Sequence, residues 1–529
     1  MTDSAASRMP KVARLPLWQK AVAAGSAGAL ATLAMAPWHM WPALWIAFPA
    51  LYGLLVVTPG WRSAFLIGWS FGFGHFATGF AWITNAFYVD SETFAALAIP
   101  AIGGLAAGFA LYIGIAAVVC VGMPNRDGSK GPSLDALSVL VFAAVWTVIE
   151  WWRGWFLTGF PWNPAGSVWV GVPPVLQGAS VIGVYGLSLI TVAAAASVAL
   201  IWRAGDMRRR VTAVALCHMP LAVAAVLGAV RLTGPAPPDV PDITLRLVQP
   251  NIAQADKWLP DARARHVYDQ VRMSTEDADG ITHVLWAETA VPFALNAAPQ
   301  ALNAAAQASP PGGALLTGAL RVEAHETGRK VFNSLFAVTR DRAVAATYDK
   351  AHLVPFGEYM PLEDMIPIPQ LARGGGFASG PGARTIAIGG LPPFSPLICY
   401  EVVFAGAVTD PGARAAWLFN LTNDAWFGDS SGPYQHLAAA QLRAVEEGLP
   451  VVRVANTGIS AVIDARGTVV GRIPLLQAGI LDHALPGALP PTVFARFGHW
   501  PALILAALLI LFPPVWRLLT RKVATSSPE

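Results

Sequence analysis

The sequence predicts a protein of two parts, a bundle of about eight membrane-spanning α-helices and an α/β domain with a sandwiched sheet. Three observations lead to this fold class. The 529 residues are 55% hydrophobic and only 13% charged, whereas soluble domains usually carry about a quarter charged residues. Charge is unevenly spread, with 20 Asp, Glu, Lys and Arg residues in 1–232 and 43 in 233–498. Short apolar strands alternate with helices only in the second region.

Long charge-free tracts predict the membrane spans. A helix of about 20 apolar residues crosses the hydrocarbon core of a bilayer. The expected spans lie near 20–36, 40–58, 64–88, 94–121, 136–157, 173–201, 212–231 and 499–519. Residues 1–232 are therefore expected to form a membrane domain with seven helices, 233–498 a separate domain, and 499–529 the last helix and a cytoplasmic tail.

Basic residues in alternate short loops predict the orientation, because such loops stay on the cytoplasmic side. The basic positions are Arg8, Lys11, Arg14, Lys20, Arg62, Arg126, Lys130, Arg203, Arg208, Arg209, Arg210, Arg517, Arg521 and Lys522. This pattern puts residues 233–498 outside the cytoplasm. A cleaved signal peptide ending near Ala34-Met35-Ala36 is the alternative for the first span, and it leaves that placement unchanged.

Composition also limits the partners and cofactors. The net charge is +3 without a long basic run, so no nucleic-acid partner is expected. Cys120, Cys217 and Cys399 are too scattered for a disulfide framework or a thiolate metal site. The ten histidines show no metal-binding spacing, and the chain has neither a P-loop nor a dinucleotide motif. We therefore predict no metal and no cofactor.

Nine short apolar segments predict the strands of the second region. They are 243–249, 283–287, 313–319, 331–339, 384–388, 394–399, 415–421, 450–455 and 460–464. Helix-compatible stretches at 261–279 and 433–447 lie between some of them. The segment Gly374-Gly375-Gly376-Phe377 has neither pattern and is expected to be either a plain connector or a mobile lid.

Three residues that could act together chemically follow predicted strands. Cys399 ends one strand, Glu288 another and Lys350 a third. A buried cysteine often has only a structural role. An unpaired cysteine in an oxidising compartment, however, indicates a functional role that keeps its thiol free of a disulfide. We expect the three strand ends to meet at one sheet edge. A carboxylate could then deprotonate the thiol, and an ammonium with the backbone N–H of Tyr400 could stabilise an oxyanion.

These segments resemble the nitrilase superfamily, whose Glu-Lys-Cys triad occurs in this chain order. With the membrane spans around it, the whole chain resembles the apolipoprotein N-acyltransferase family. Further matching segments are 248–252 (VQPNI), 359–361 (YMP), 420–428 (NLTNDAWFG) and 150–154 (EWWRG) running to 159–162 (GFPW). One position departs from the family pattern, since Ala287 stands where Pro is expected before the glutamate.

The resemblance implies an α-β-β-α nitrilase-like sandwich and assigns the site residues. Glu288 would be the general base, Lys350 the oxyanion-stabilising cation and Cys399 the acyl-carrying nucleophile. Supporting positions implied in the same way are Glu358, Tyr400, Glu401, Asn333 and Trp258. From the residues alone, Glu358 could instead be a surface loop carboxylate, Asn333 a turn or sheet-edge cap, and Trp258 a core or interfacial aromatic. Arg443 and Arg453 could each be a solvated charge or could support the site.

The resemblance also implies the activity. It is a ping-pong transfer of a fatty acyl group from phospholipid, through a cysteine thioester, to the α-amino group of the N-terminal diacylglyceryl-cysteine of apolipoproteins. The expected location is the bacterial inner membrane, with multiple spans, a periplasmic catalytic domain and a monomeric chain. Two alternatives are a membrane-tethered amidase or nitrilase-like hydrolase of a small amide, and a non-enzymatic transporter or receptor.

Overall fold

The computed structural model describes residues 10–123, 130–325, 328–361 and 376–525. The predicted loop residues Gly374 and Gly375, and the basic residues Arg8 and Arg126, lie outside these ranges. The chain divides into two compact units. The first contains Met1–Thr84, Phe94–Gly234 and Arg496–Glu529, and the second contains Asn85–Thr93 and Pro235–Ala495.

The first unit is helical. Its longer helices are α1 (Leu17–Ala31), α2 (Leu44–Val56), α3 (Trp61–Gly79), α4 (Ala98–Gly122), α5 (Ala136–Arg153), α6 (Ala179–Ser197) and α7 (Met207–Thr233), followed late in the chain by Trp500–Thr525. Each predicted span overlaps one of these helices. Where α1 and α3 pack, a Cβ on Gly28 would lie 1.9 Å from the carbonyl oxygen of Phe71, so this approach requires glycine.

The expectation of about eight spans is met only in part. Within the described ranges, four helical segments are long and apolar enough to cross a membrane: Ser91–Gly122, Ala136–Arg153, Ala179–Trp202 and Met207–Thr233. Trp41–Val56 and Trp500–Val515 are apolar but shorter. Helix α1 is too short to cross a membrane by itself. Its 15 residues extend only about 22 Å, whereas the hydrocarbon core of a bilayer is roughly 30 Å thick.

Two buried ionisable side chains of α5 hold the backbone that follows this helix. Glu150 Oε1 accepts a hydrogen bond from the backbone N–H of Ala165 at 2.8 Å. The Arg153 guanidinium donates to the carbonyl oxygens of Phe160, at 2.5 Å, and Trp162, at 3.0 Å. The matching segment at 150–162 therefore forms one structure in which charged groups stabilise an irregular turn.

The second unit contains two sheets. Its strands are β1 (Thr244–Gln249), β2 (His283–Trp286), β3 (Val291–Ala294), β4 (Ala314–His325), β5 (Gly328–Thr339), β6 (Val344–Asp349), β7 (Ile386–Ile388), β8 (Leu391–Ile398), β9 (Trp417–Thr422), β10 (Val451–Ala455), β11 (Ser460–Ile463), β12 (Val469–Ile473) and β13 (Gly479–Ala484). The first sheet has the order β13-β1-β2-β4-β5-β6 with β3 beside β4, and the second the order β12-β11-β10-β9-β8-β7. The pairs β1/β2, β2/β4, β8/β9 and β9/β10 are parallel.

The two sheets pack face to face and helices cover their outer faces. A shared core between the sheets includes Leu247, Leu285, Phe394 and Phe419. Helices α8 (Arg263–Thr275) and α9 (Pro299–Gln307) form a second core with the outer face of the first sheet. Helix α10 (Gly432–Glu447) contacts β10 of the second sheet. This is the α-β-β-α arrangement implied by the family resemblance.

All nine predicted strand segments overlap a strand, but the sequence did not indicate every element. Strands β3, β12 and β13 and helix α9 were not predicted, and β6 lies outside the nine segments although a strand ending at Lys350 was expected. Residues of β12 and β13 are half-buried or exposed for most of their length. Such strands lack the continuous apolar runs on which strand prediction depends.

Candidate active site

The three candidate catalytic residues follow strands of both sheets. Glu288 comes two residues after β2 and Lys350 directly after β6, in the first sheet, whereas Cys399 directly follows β8 of the second. The expectation of a single sheet edge is therefore wrong. The residues meet at one end of the space between the two stacked sheets. The ends of strands from facing sheets can converge there, just as the ends of neighbouring strands converge within one sheet.

Lys350 links two carboxylates. Its Nζ donates to Oε1 of Glu358 at 2.8 Å and lies 3.5 Å from Oε1 of Glu288. Asn333 Nδ2 donates to both glutamates, at 2.7 Å to Glu288 and 3.2 Å to Glu358. Glu358 also accepts the backbone N–H of Val354 at 2.8 Å. Glu358 is therefore not a surface carboxylate but a fixed part of this cluster.

The neighbouring carboxylates keep this buried lysine protonated. Desolvation disfavours its charged form, but the carboxylates of Glu358 and Glu288 outweigh that cost and raise the pKa of Lys350 above its usual value. Lys350 is thus a fixed ammonium with 1% side-chain exposure. A charge held this way can stabilise a developing oxyanion without reorganising.

The backbone around Glu288 is held in an uncommon conformation. Thr289 has a φ of +45°, in the left-handed region that non-glycine residues rarely adopt. A Cβ on Gly318 of β4 would lie 2.7 Å from the Cα of Glu288, so glycine is required beside this turn. Lys257 Nζ donates to the carbonyl oxygen of Glu288 at 3.0 Å. The general base candidate is therefore fixed through its backbone as well as its carboxylate.

Cys399 is a buried thiol on a strained turn. Its φ is +52° and its exposed fraction is 8%. Burial and the negative charge of Glu288 raise the pKa of this thiol above its usual range, although the Lys350 ammonium opposes them. The side chain is therefore a thiol at neutral pH. It needs a base before it can act as a nucleophile.

Glu401 joins the cysteine turn to the lysine segment. Its Oε1 accepts the Tyr348 hydroxyl at 2.9 Å and the backbone N–H of Ala351 at 2.8 Å, and its Oε2 accepts the N–H of Ile398 at 2.7 Å. These donors occupy its carboxylate and tie the cysteine turn to the lysine segment. Tyr400 is buried and contacts Phe404 edge to face at 5.0 Å.

Lys257 is a site residue that the sequence did not reveal. It is 3% exposed, and burial lowers its pKa to about 8 although Glu288 and Cys399 oppose that shift. The predicted residue Trp258 follows it directly and is 41% exposed. A lone lysine carries no periodic signal, and its position beside the predicted Trp258 was the only available indication.

A second buried network lies beneath Cys399. Asp424 accepts from Arg453 Nη2 at 2.5 Å and lies 2.9 Å from Nδ1 of His436. The other ring nitrogen of His436, Nε2, lies 3.1 Å from the carbonyl oxygen of Cys399. Arg453 is fully buried and therefore supports the site instead of being a solvated charge. Burial opposes ionisation of Asp424, but Arg453 and His436 outweigh it and lower the pKa of this carboxyl below its usual range.

Among the described residues, Cys399, Asp424 and His436 place one possible metal-ligand atom each within 4.8 Å of one another. The ring nitrogens of His436 already face Asp424 and a carbonyl oxygen, and Asp424 is bound to Arg453. Metal ligation would disrupt these contacts. The absence of a metal and a cofactor from the function remains a prediction.

Two solved structures align with part of this chain. A carbon-nitrogen hydrolase from Helicobacter pylori G27 aligns with a TM-score of 0.36 and 13% identity, covering 46% of this chain and 89% of that chain. An amidase from Nesterenkonia sp. aligns with a TM-score of 0.34 and 18% identity, covering 48% of this chain and 94% of that chain.

Sequence comparisons extend over both units. Residues 27–197 match the family model of the apolipoprotein N-acyltransferase N-terminal domain, and residues 248–489 match the carbon-nitrogen hydrolase model. The second match confirms the predicted nitrilase-like fold. The apolipoprotein N-acyltransferase of Rhodopseudomonas palustris is 40% identical over 516 residues, covering 93% of this chain and 94% of that protein. That of Bradyrhizobium diazoefficiens is 39% identical over 531 residues, covering 97% and 96%. The chain therefore belongs to the apolipoprotein N-acyltransferase family.

Proposed function

We propose that this protein transfers a fatty acyl group from a phospholipid to the α-amino group of the N-terminal diacylglyceryl-cysteine of apolipoproteins. Relatives with this name match nearly the whole chain. The single observation that carries the chemical part is the contact of the Lys350 ammonium with the Glu288 carboxylate, at 3.5 Å, close to the buried thiol of Cys399.

The first half-reaction forms a thioester. Glu288 takes the proton of the Cys399 thiol while the sulfur attacks the ester carbonyl carbon of the phospholipid. Lys350 and the backbone N–H of Tyr400 stabilise the resulting oxyanion. When the carbon–oxygen bond breaks, Glu288 returns the proton to the leaving glycerol oxygen. Lysophospholipid departs and the acyl group remains on the sulfur.

The second half-reaction uses the same groups. The acceptor's neutral α-amino group attacks the thioester carbonyl and Glu288 takes the amine proton. The carbon–sulfur bond then breaks, an amide forms and the proton returns to the sulfur. Because the first product leaves before the acceptor reacts, the kinetics are ping-pong.

Burial of the triad favours transfer over hydrolysis in this scheme. Glu288, Lys350 and Cys399 are at most 8% exposed, so little water can reach the thioester. A hydrolase of a small amide uses the same triad with water as acceptor. The full-length relatives named as acyltransferases do not favour that alternative.

Mass spectrometry of the intact protein tests the function. After incubation with phospholipid, we expect the mass of Cys399 to increase by one fatty acyl group, which neutral hydroxylamine removes and which Cys399→Ala lacks. Adding a diacylglyceryl-cysteine peptide should remove the adduct and yield an N-acylated peptide. No adduct after incubation with phospholipid would instead support the hydrolase of a small amide.

Both substrates are lipids, so the location of the catalytic unit matters. We propose that the protein crosses the bacterial inner membrane several times as a monomer, with the second unit in the periplasm. The basic segment Arg208–Arg210 at the start of α7 supports this orientation. Fusion of a periplasmic reporter enzyme after residue 240 should be active, and the same fusion after residue 205 inactive. The reverse pattern would contradict the orientation.

A further inference from the structure

We propose that His436, supported by Asp424 and Arg453, positions the backbone N–H of Tyr400 for oxyanion binding by holding the Cys399–Tyr400 peptide plane. The inference rests on the proposed function, because it concerns the N–H that this function uses. It assigns His436 a positioning role, since its side chain contacts the backbone carbonyl of the nucleophile.

The carbonyl oxygen of Cys399 is bound from the side of the second sheet. His436 Nε2 lies 3.1 Å from this oxygen, and Asn420 Nδ2 lies 3.4 Å from it while donating to the Leu397 carbonyl at 3.0 Å. His436 and Asn420 are fully buried. Because a hydrogen bond is stronger in the low-dielectric interior than in water, these buried donors fix the direction of the Cys399 carbonyl more firmly than exposed donors would.

The surroundings of the ring decide which nitrogen carries the proton. Nε2 faces an acceptor, the carbonyl oxygen of Cys399, so it must be protonated for this contact to be favourable. Nδ1 lies 3.1 Å from Arg453 Nη2 and 2.9 Å from Asp424 Oδ1. A donor and an acceptor are thus both available at Nδ1. The Nδ1 side of the ring is therefore fixed by a hydrogen bond whether Nδ1 accepts from Arg453 or donates to Asp424.

The support for this ring is itself rigid. Arg453 Nη2 lies 2.5 Å from Asp424 Oδ2, and Thr422 donates to Asp424 Oδ1 at 2.9 Å. Arg453 also donates to the side-chain oxygen of Asn420. The two donors to the Cys399 carbonyl therefore belong to one network, since Arg453 bonds to Asn420 directly and to His436 through Asp424.

Peptide geometry connects this network to catalysis. In a trans peptide the N–H points opposite to the carbonyl of the same plane. Fixing the Cys399 carbonyl toward His436 therefore fixes the Tyr400 N–H in the opposite direction. Cys399 has a φ of +52°, a conformation that a cysteine adopts only when its surroundings impose it. Without His436 one of the two donors to this carbonyl is lost, and the peptide plane can rotate about ψ of Cys399 and φ of Tyr400.

Two substitutions separate the donor from the ring. His436→Leu removes the donor, whereas the amide nitrogen of His436→Gln can reach the Cys399 carbonyl. We expect His436→Leu to reduce the single-turnover rate of acyl-thioester formation, measured with a fluorescent phospholipid in mixed micelles, by about 10- to 100-fold. The half-saturating phospholipid concentration should stay unchanged, since the oxyanion exists only in the transition state. His436→Gln should recover most of the rate.

Alkylation of Cys399 by iodoacetamide is the internal control. This displacement needs the sulfur but forms no oxyanion, so its rate should differ from wild type by less than about twofold in both variants. Equal thioester rates for wild type and His436→Leu would overturn the inference. So would a parallel loss of alkylation and acylation that His436→Gln does not restore, which would indicate a role in folding only. Failure of the wild type to form a thioester would refute the proposed function instead.

Discussion

Substituting methionine for Lys257 is expected to change how the stability of the protein depends on pH. The lysine is 3% exposed and bonded to the Glu288 carbonyl at 3.0 Å. Methionine has a similar length and carries no charge, so it fills the same space and removes only the titrating group and its hydrogen bond.

The expected magnitude follows from the pKa of Lys257, which burial lowers from 10.5 to about 8. Below pH 8 the lysine is protonated in the folded and unfolded protein, and the folded state bears the full cost of burying the charge. Between pH 8 and 10.5 the folded protein has released the proton but the unfolded chain keeps it, so wild-type stability rises with pH. The gain is about 3 kcal/mol.

The measurement is the free energy of unfolding of wild type and Lys257→Met in one detergent, from chemical denaturation at pH 7 and pH 10.5. Relative to wild type, the variant should lose about 3 kcal/mol of stability between these two pH values. Other titrating groups cancel because both proteins contain them. Lys330→Met, at an exposed position near the start of β5, is the matched control and should show no such change. A difference between wild type and Lys257→Met that is independent of pH would refute the lowered pKa.

Three further results are expected. Glu358→Gln removes the closer carboxylate partner of Lys350, at 2.8 Å. The ammonium then pairs with Glu288 and makes it a weaker base, so single-turnover thioester formation should be about 100-fold slower. An unchanged rate would contradict this. Glu401→Gln leaves several buried donors without a carboxylate and should lower the free energy of unfolding by about 3 kcal/mol; a denaturation curve matching wild type would exclude it. Burial raises the pKa of Cys399. Its alkylation rate should therefore keep rising with pH past about 8.5, the pH at which an ordinary thiol titrates. A plateau at lower pH would contradict the raised pKa.

Much of the fold was predictable because its signals are local. Charge-free tracts located the helices of the first unit, and short apolar runs located buried strands such as β1 and β9. Whether a helix crosses a membrane also depends on its length. The apolar run continues past Ala31, but helix α1 ends there and a 3-10 turn follows. Half-exposed strands such as β12 were missed because their residues are not uniformly apolar.

The candidate site was predictable for a different reason. Glu288, Lys350 and Cys399 each follow a strand and lie in segments that resemble those of a known family. Periodicity shows that a strand exists but not which sheet it joins, so it could not show that β8 belongs to the second sheet. The sequence therefore could not predict that the site forms where the two sheets meet.

The sequence by itself determined the two-part organisation, the chain positions of most helices and strands, and the residue types that can carry an acyl group. Only the tertiary structure decided which side chains surround them. Lys257 bonds to a residue 31 positions away and His436 to one 37 positions away. Such contacts depend on how the two sheets and α10 stack, because burial and charge at the site arise from neighbours that are distant along the chain.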